Sequence, residues 1–114
     1  MSTRPKEFIA ALQFDSAGLI PVVVQDVDSK EILMLAWMNS ETLALTIDTR
    51  VATYFSRSRQ EVWVKGSTSG NTQQVHSVAK DCDGDALLMQ VHQTGVACHT
   101  GTKSCFEAEI LESS

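Results

Sequence analysis

Apolar positions along the chain mostly follow the spacing of β-strands. Residues 19–24 form an apolar, β-branched run interrupted by Pro21, which predicts an edge strand or the start of a strand. Residues 32–38 form a second apolar run of strand length. The polar turn at residues 26–30 lies between the two runs, so we predict a hairpin there.

Residues 40–49 have the pattern of a short helix. Leu43 and Ile47 recur at helical spacing, and either Asn39 or Ser40 is a suitable N-cap. Alternating or apolar runs predict further strands at residues 51–55, 61–65, 74–78 and 86–91. The pattern predicts a single α+β, β-rich domain over residues 1–114.

Composition and charge narrow the class of protein. The 114 residues carry a formal net charge of −5, which argues against a general nucleic-acid binder but not against a small anionic substrate. The sequence has neither an N-terminal apolar run typical of a signal peptide nor a stretch near the length of a membrane span. Three cysteines, an odd number, make a disulfide framework improbable, and we therefore expect a cytoplasmic protein.

The acidic stretch at residues 81–85 is the most informative segment. Asp81, Asp83 and Asp85 would share one face of an extended strand, and their mutual repulsion would be relieved by a hard cation such as Mg²⁺. The alternative is a solvated turn, in which Asp and Gly are common. An EF-hand loop is excluded, because its sixth and twelfth positions would be Ala86 and His92.

The cysteines are candidate zinc ligands. Cys98 and Cys105 are separated by a polar segment that contains Gly101, so this segment can loop back and bring both thiols to one ion. With Cys82 they provide three thiolates, and catalytic zinc commonly has three protein ligands. His99 would be a fourth ligand or an acid/base group. The alternative is that each cysteine is simply a small buried hydrophobe.

Several motifs together resemble the phosphoribosyl-AMP cyclohydrolase family of histidine biosynthesis. No one of them is decisive alone, but their combination and order are highly specific, and they cover residues 14–106. They are GLIPVV (18–23), MLAWMN (34–39), YFSRSR (54–59), WVKGSTSG (63–70), DCDGD (81–85), CHTG (98–101) and SCF (104–106). The resemblance is to the single-function form of the family, without a fused pyrophosphohydrolase domain.

This resemblance implies an activity, two metals and an assembly. Water would add at C6 of the adenine ring of phosphoribosyl-AMP and open the N1–C6 bond. Each subunit would hold one Zn²⁺ through Cys82, Cys98 and Cys105, and one Mg²⁺ through the three aspartates. The fold would be a roll- or pseudobarrel-like mixed sheet with one or two short helices, in an intertwined homodimer that shares the zinc site between chains.

Our mechanistic hypothesis assigns the remaining polar residues. A zinc-bound hydroxide attacks C6, and His99 shuttles protons. The concentrated cationic and small polar residues outside the metal motifs bind phosphate or ribose, namely Arg57, Arg59, Lys65, Ser69 and Gly70. Taken alone, their segments are more typical of ordinary hairpin loops than of a phosphate site.

The main alternative function is a small binding module whose zinc is purely structural, with His99 closing the tetrahedron. A zinc nucleobase deaminase is a much weaker alternative than the binding module, because the H-x-E and P-C-x-x-C motifs of that class are absent from the sequence. His76 and His92 are interpreted as surface or strand-end residues, and Trp37 and Trp63 as core or pocket wall.

Overall fold

The computed structural model describes residues 5–67, 69–98 and 101–112, which form two helices, six strands and one 3₁₀ turn. The helices are α1 (Pro5–Ala10) and α2 (Ser40–Thr49), and the 3₁₀ turn is Cys105–Glu107. The strands are β1 (Ile20–Asp26), β2 (Ile32–Met38), β3 (Thr53–Ser56), β4 (Glu61–Val64), β5 (Gln73–Lys80) and β6 (Leu87–Gln93).

Four of the strands form one mixed sheet in the order β2-β1-β6-β5. β1 pairs antiparallel with β2 and parallel with β6, and β5 pairs antiparallel with β6. Pro21 lies near the start of β1, before the pairing with β6 begins at Val22. The missing N–H of this proline is tolerated because it precedes the part of β1 that is bonded on both sides.

The core lies on one face of this sheet. Side chains of β1 alternate between buried and half-buried, with Ile20, Val22 and Val24 fully buried. Leu43 of α2 and Tyr54 of β3 are also fully buried and belong to the same apolar cluster. Alternation therefore decides which face of the sheet is covered.

Helix α2 connects the sheet to the separate β3–β4 hairpin. Asn39 caps the helix: its side chain accepts a 2.8 Å hydrogen bond from the Thr42 amide, and the Thr42 hydroxyl accepts one from the Asn39 amide. The buried hydroxyl of Thr46 donates to the Thr53 carbonyl and accepts from the Thr53 amide. These contacts fix β3 against the end of the helix.

The predicted α+β, strand-rich fold with a mixed sheet and short helices is confirmed. Within the described ranges the strands form an open sheet and a hairpin rather than a closed barrel. Neither α1 nor the parallel pairing of β1 with β6 was predicted from the pattern. The intertwined homodimer and the single-domain assignment stay predictions. None of the described helices is long and apolar enough to cross a membrane.

Candidate functional site

A polar loop after β6 brings two of the predicted zinc ligands together. The Ala97 amide donates to the Lys103 carbonyl at 3.0 Å, and the Cys98 amide donates to the Thr102 carbonyl at 3.2 Å. We call this segment, residues 97–98 and 101–105, the thiol loop. The Cys105 thiol lies within hydrogen-bonding reach of Cys98. The segment therefore loops back as predicted and brings Cys98 and Cys105 close together.

The thiol loop is attached to the edge strand β2 through Ser104. This residue is only 2% exposed, and its hydroxyl donates to the Ile32 carbonyl at 2.7 Å. The same hydroxyl accepts from the Phe106 amide, and the Glu107 carboxylate accepts from the Ser104 amide at 3.1 Å. A buried, fully bonded anchor of this kind holds the adjacent Cys105 in place.

Lys65 brings a cation to the same thiols. It follows β4, and its amide donates to the Ala52 carbonyl at 3.0 Å. The side chain is only 7% exposed; burial lowers the pKa of Lys65, and the nearby Cys105 and Cys98 oppose this shift. Partial desolvation raises the pKa of the Cys105 thiol, Cys98 raises it further, and Lys65 lowers it. The charge of Lys65 thus favours the Cys105 thiolate, but burial and Cys98 outweigh it, and the pKa of Cys105 is raised overall.

The acidic stretch forms a turn, which is the alternative to an extended strand that the sequence left open. Residues 81–86 connect β5 to β6: the Gly84 amide donates to the Asp81 carbonyl at 3.1 Å, and the Asp81 amide donates to the Ala86 carbonyl at 3.0 Å. Gly84 has a φ of +74°, which a residue with a side chain rarely adopts. The alternating geometry that would place three carboxylates on one face is therefore absent from this segment.

Two of the three carboxylates nevertheless meet within the turn. The Asp81 carboxylate accepts from the Asp85 amide at 3.0 Å and shares a hydrogen bond with the Asp85 side chain. The pKa of Asp81 is lowered: desolvation opposes this shift, while hydrogen bonds from Asp85 and from nearby amides produce it. The hydrogen bond to Asp81 and its charge raise the pKa of Asp85, and Asp83 adds to this effect.

The donor sets fit the predicted metals in chemical type. Paired thiols suit a soft or borderline ion such as Zn²⁺, and adjoining carboxylates suit Mg²⁺. Within residues 5–67, 69–98 and 101–112, however, His, Cys, Asp and Glu side chains nowhere form a group of three that could hold a metal. Cys82 lies exposed in the acidic turn. His99 lies outside the described residues.

Four of the five predicted substrate-binding residues, all except Gly70, line two neighbouring clefts beside the β3–β4 hairpin. One, of about 490 Å³, is lined by Arg59, Lys65 and Ser69, and we call it the Arg59 cleft. The other, of about 580 Å³, is lined by Trp37, Arg57 and Ser58, and we call it the Arg57 cleft. Both are also lined by Ser56 and Trp63. The interpretation of the two tryptophans as pocket wall is confirmed.

Gly70 plays a structural part in the loop that borders the Arg59 cleft. Its amide donates to the Gly66 carbonyl at 2.9 Å, so this N–H is already bonded within the loop. A side chain at Gly66 would lie 2.5 Å from the Thr72 nitrogen, so this loop requires glycine at position 66.

A buried polar network behind the clefts was missed by the sequence analysis. Gln73 is fully buried in β5; it accepts from the Tyr54 hydroxyl and donates to the Gln93 side chain at 2.8 Å. Burial raises the pKa of Tyr54, which therefore remains neutral. Gln73 lies one residue before the strand predicted at residues 74–78, and its partners are distant in sequence, so the pattern contained no signal for this network.

Comparison with known proteins identifies the family. Residues 34–107 match the sequence model of phosphoribosyl-AMP cyclohydrolase. A protein of that name from Thermobifida fusca is 59% identical, with 92% of this chain and 90% of the relative covered. A second, from Mycobacterium bovis, is 58% identical, with 97% and 96% covered. A third, from Corynebacterium efficiens, is 56% identical, with 97% and 91% covered. The chain is an enzyme and belongs to the phosphoribosyl-AMP cyclohydrolase family.

Proposed function

We propose that this enzyme hydrolyses the adenine ring of phosphoribosyl-AMP, and that metal ions are required for the reaction. The observation that carries the proposal is the match to the family over residues 34–107, which include the acidic turn, the thiol loop and both clefts. The proposed substrate is a small nucleotide with two phosphate groups, each of which is negatively charged. Local cations of the clefts can bind it despite the net charge of −5.

The reaction balances with one molecule of water and needs no oxidant or reductant. The water oxygen bonds to C6, which already carries an amino group, and the N1–C6 bond breaks. C6 becomes a carboxamide, N1 takes up a proton, and C2 remains as a formimino carbon. The product is the formimino-aminoimidazole-carboxamide ribonucleotide of the histidine pathway.

Cys98, Cys105 and Cys82 are the proposed zinc ligands, with Cys82 coming from a second copy of the chain. The support is that the described residues of one chain bring only the first two thiols together, while Cys82 is exposed. When bound there, zinc supplies a water whose pKa falls from 15.7 to about 7. Asp81, Asp83 and Asp85 are the proposed magnesium ligands, because hard oxygen donors are what this ion requires.

The chain's own residues complete the proposed chemistry. Lys65 lies near the two thiols, and its charge offsets part of the rise in the pKa of Cys105. Arg57, Arg59 and Ser69 bind the phosphates and riboses, as the linings of the two clefts support. His99 is proposed to move protons between water and the leaving nitrogen. The cytoplasmic location stays a prediction.

An absorbance assay of ring opening tests this proposal. Purified protein is supplied with Zn²⁺ and Mg²⁺, each metal is omitted in turn, and His99→Ala is assayed beside Lys6→Ala, an exposed control in α1. We expect rapid turnover that depends on both metals and is lost in the His99 variant. Absence of turnover in folded, zinc-loaded protein would favour the small structural-zinc module instead.

A further inference from the structure

The two clefts are joined by a common wall. Ser56 and Trp63 line both of them, so the two clefts adjoin at this indole. Trp63 is held from behind: its ring lies 5.1 Å from that of Tyr54, which is fully buried and bonded to Gln73. The common wall is therefore a supported aromatic surface, suited to the face of a planar ring.

The turn between β3 and β4 sends one arginine into each cleft. The Arg57 guanidinium lies over the Trp37 ring, 4.4 Å from its centroid. Two residues further on, the Arg59 guanidinium lies 3.7 Å from the Glu61 carboxylate, and it lines the other cleft. Gln60 closes this turn, donating through its side chain to the Arg57 carbonyl at 2.8 Å. The two guanidiniums therefore line different clefts, and Trp63 lines both.

The proposed substrate has two phosphates, which matches the two clefts that each contain one arginine. In phosphoribosyl-AMP a flat purine carries a ribose phosphate on N9 and a second ribose phosphate on N1, at opposite ends of the ring system. Guanidinium forks bind phosphate in two-point geometry, and a flat base stacks on an indole. We infer that the purine stacks on Trp63 and that each cleft binds one of the two phosphates. This inference rests on the proposed function.

The position of the thiol loop indicates which end of the substrate lies in which cleft. Lys65 lies beside Cys98 and Cys105 and also lines the Arg59 cleft. The reacting C6 atom is bonded to N1 and is remote from N9. The N1 ribose phosphate therefore occupies the Arg59 cleft, nearer the thiols, and the N9 ribose phosphate occupies the Arg57 cleft. Arg57 and Arg59 are specificity residues that recognise different ends of one molecule.

AMP separates the two ends, because it has the N9 phosphate and lacks the N1 group. We would measure AMP as a competitive inhibitor, and its equilibrium binding by tryptophan fluorescence, for Arg57→Ala, Arg59→Ala and the control Lys6→Ala. The expected result is a rise of about tenfold or more in the AMP inhibition and dissociation constants for Arg57→Ala, since a charged two-point contact is lost. Arg59→Ala and Lys6→Ala should stay within about twofold of wild type.

Turnover of the full substrate tests the second end. Both arginine variants should raise KM for phosphoribosyl-AMP by about tenfold, and Arg57→Lys should restore only part of the loss because it lacks the guanidinium fork. Equal weakening of AMP by both variants, or weakening by Arg59→Ala alone, would overturn the assignment of the clefts. Failure of the wild-type protein to turn over substrate would instead count against the proposed function, whatever the AMP result.

Discussion

The thiol loop and the acidic turn both carry predicted metal ligands, yet the fold holds them by different means. The acidic turn is stabilised mostly by bonds within residues 81–86, and a bond from the Gln13 amide to the Gly84 carbonyl ties it to the chain before β1. The thiol loop is attached to β2 by the buried Ser104 hydroxyl and lies against buried Lys65. Both segments are therefore tied to residues distant in sequence, but only the thiol loop is held by buried side chains, those of Ser104 and Lys65.

Removing a thiol should have the largest effect. Cys105→Ser should lower kcat/KM by more than about a thousandfold and reduce bound zinc to well below one ion per chain, because the proposed zinc site loses one of its three protein ligands. Zinc content by atomic absorption and turnover are the measurements. Full zinc occupancy in the variant would remove Cys105 from the ligand set.

A substitution in the acidic turn should change the magnesium dependence of turnover and leave the zinc content unchanged. Asp81→Asn breaks the carboxylate pair with Asp85, and we expect turnover to fall by about 10- to 100-fold while zinc content is unchanged. Higher Mg²⁺ should recover part of the loss. The exposed Asp48→Asn in α2 is the matched control. An unchanged magnesium dependence in Asp81→Asn would show that the acidic turn does not bind the magnesium ion.

The sequence predicted local features well and relations between distant residues poorly. The bounds of α2 and β2 follow from apolar spacing and from the cap at Asn39, which are local properties. For the acidic stretch the pattern left two alternatives, because period-two carboxylates fit a strand while Asp and Gly are common in turns. The positive φ of Gly84 and the short connection between β5 and β6 belong to the turn. The position of Lys65 beside the thiols depends on tertiary packing, so no local pattern contained it.

Loss of the loop's anchor should cost stability as well as activity. Ser104→Ala leaves the Ile32 carbonyl and the Phe106 amide without this hydroxyl partner, so we expect about 1–3 kcal/mol less free energy of unfolding. Ser77→Ala, which removes an exposed hydroxyl on β5, should change it by less than about 0.5 kcal/mol. Urea unfolding of both variants measures the difference. Equal effects would show that the attachment to β2 contributes little.

The smallest effect concerns the ion pair that links the thiol loop to β1. The Lys103 ammonium lies 3.5 Å from the Asp26 carboxylate and 3.3 Å from that of Glu31. Asp26 is only 8% exposed and accepts from the amides of Asp28 and Ser29. The Asp28 amide is the main cause that lowers the pKa of Asp26 below 3.8; the Ser29 amide and Lys103 lower it further, and burial opposes them. The ionised form is therefore the one that stabilises the fold.

Because the pKa of Asp26 is lower in the folded than in the unfolded chain, its contribution is complete above pH 3.8 and is lost as the pH falls through the folded value. Asp26→Asn should therefore lower the free energy of unfolding by about 1 kcal/mol at pH 7, and the difference should shrink once the pH drops below 3.8. Urea unfolding of metal-free protein at several pH values measures this. A gap between wild type and variant that stayed constant down to the acid limit would mean that hydrogen-bond geometry, and not charge, ties this end of the thiol loop to β1.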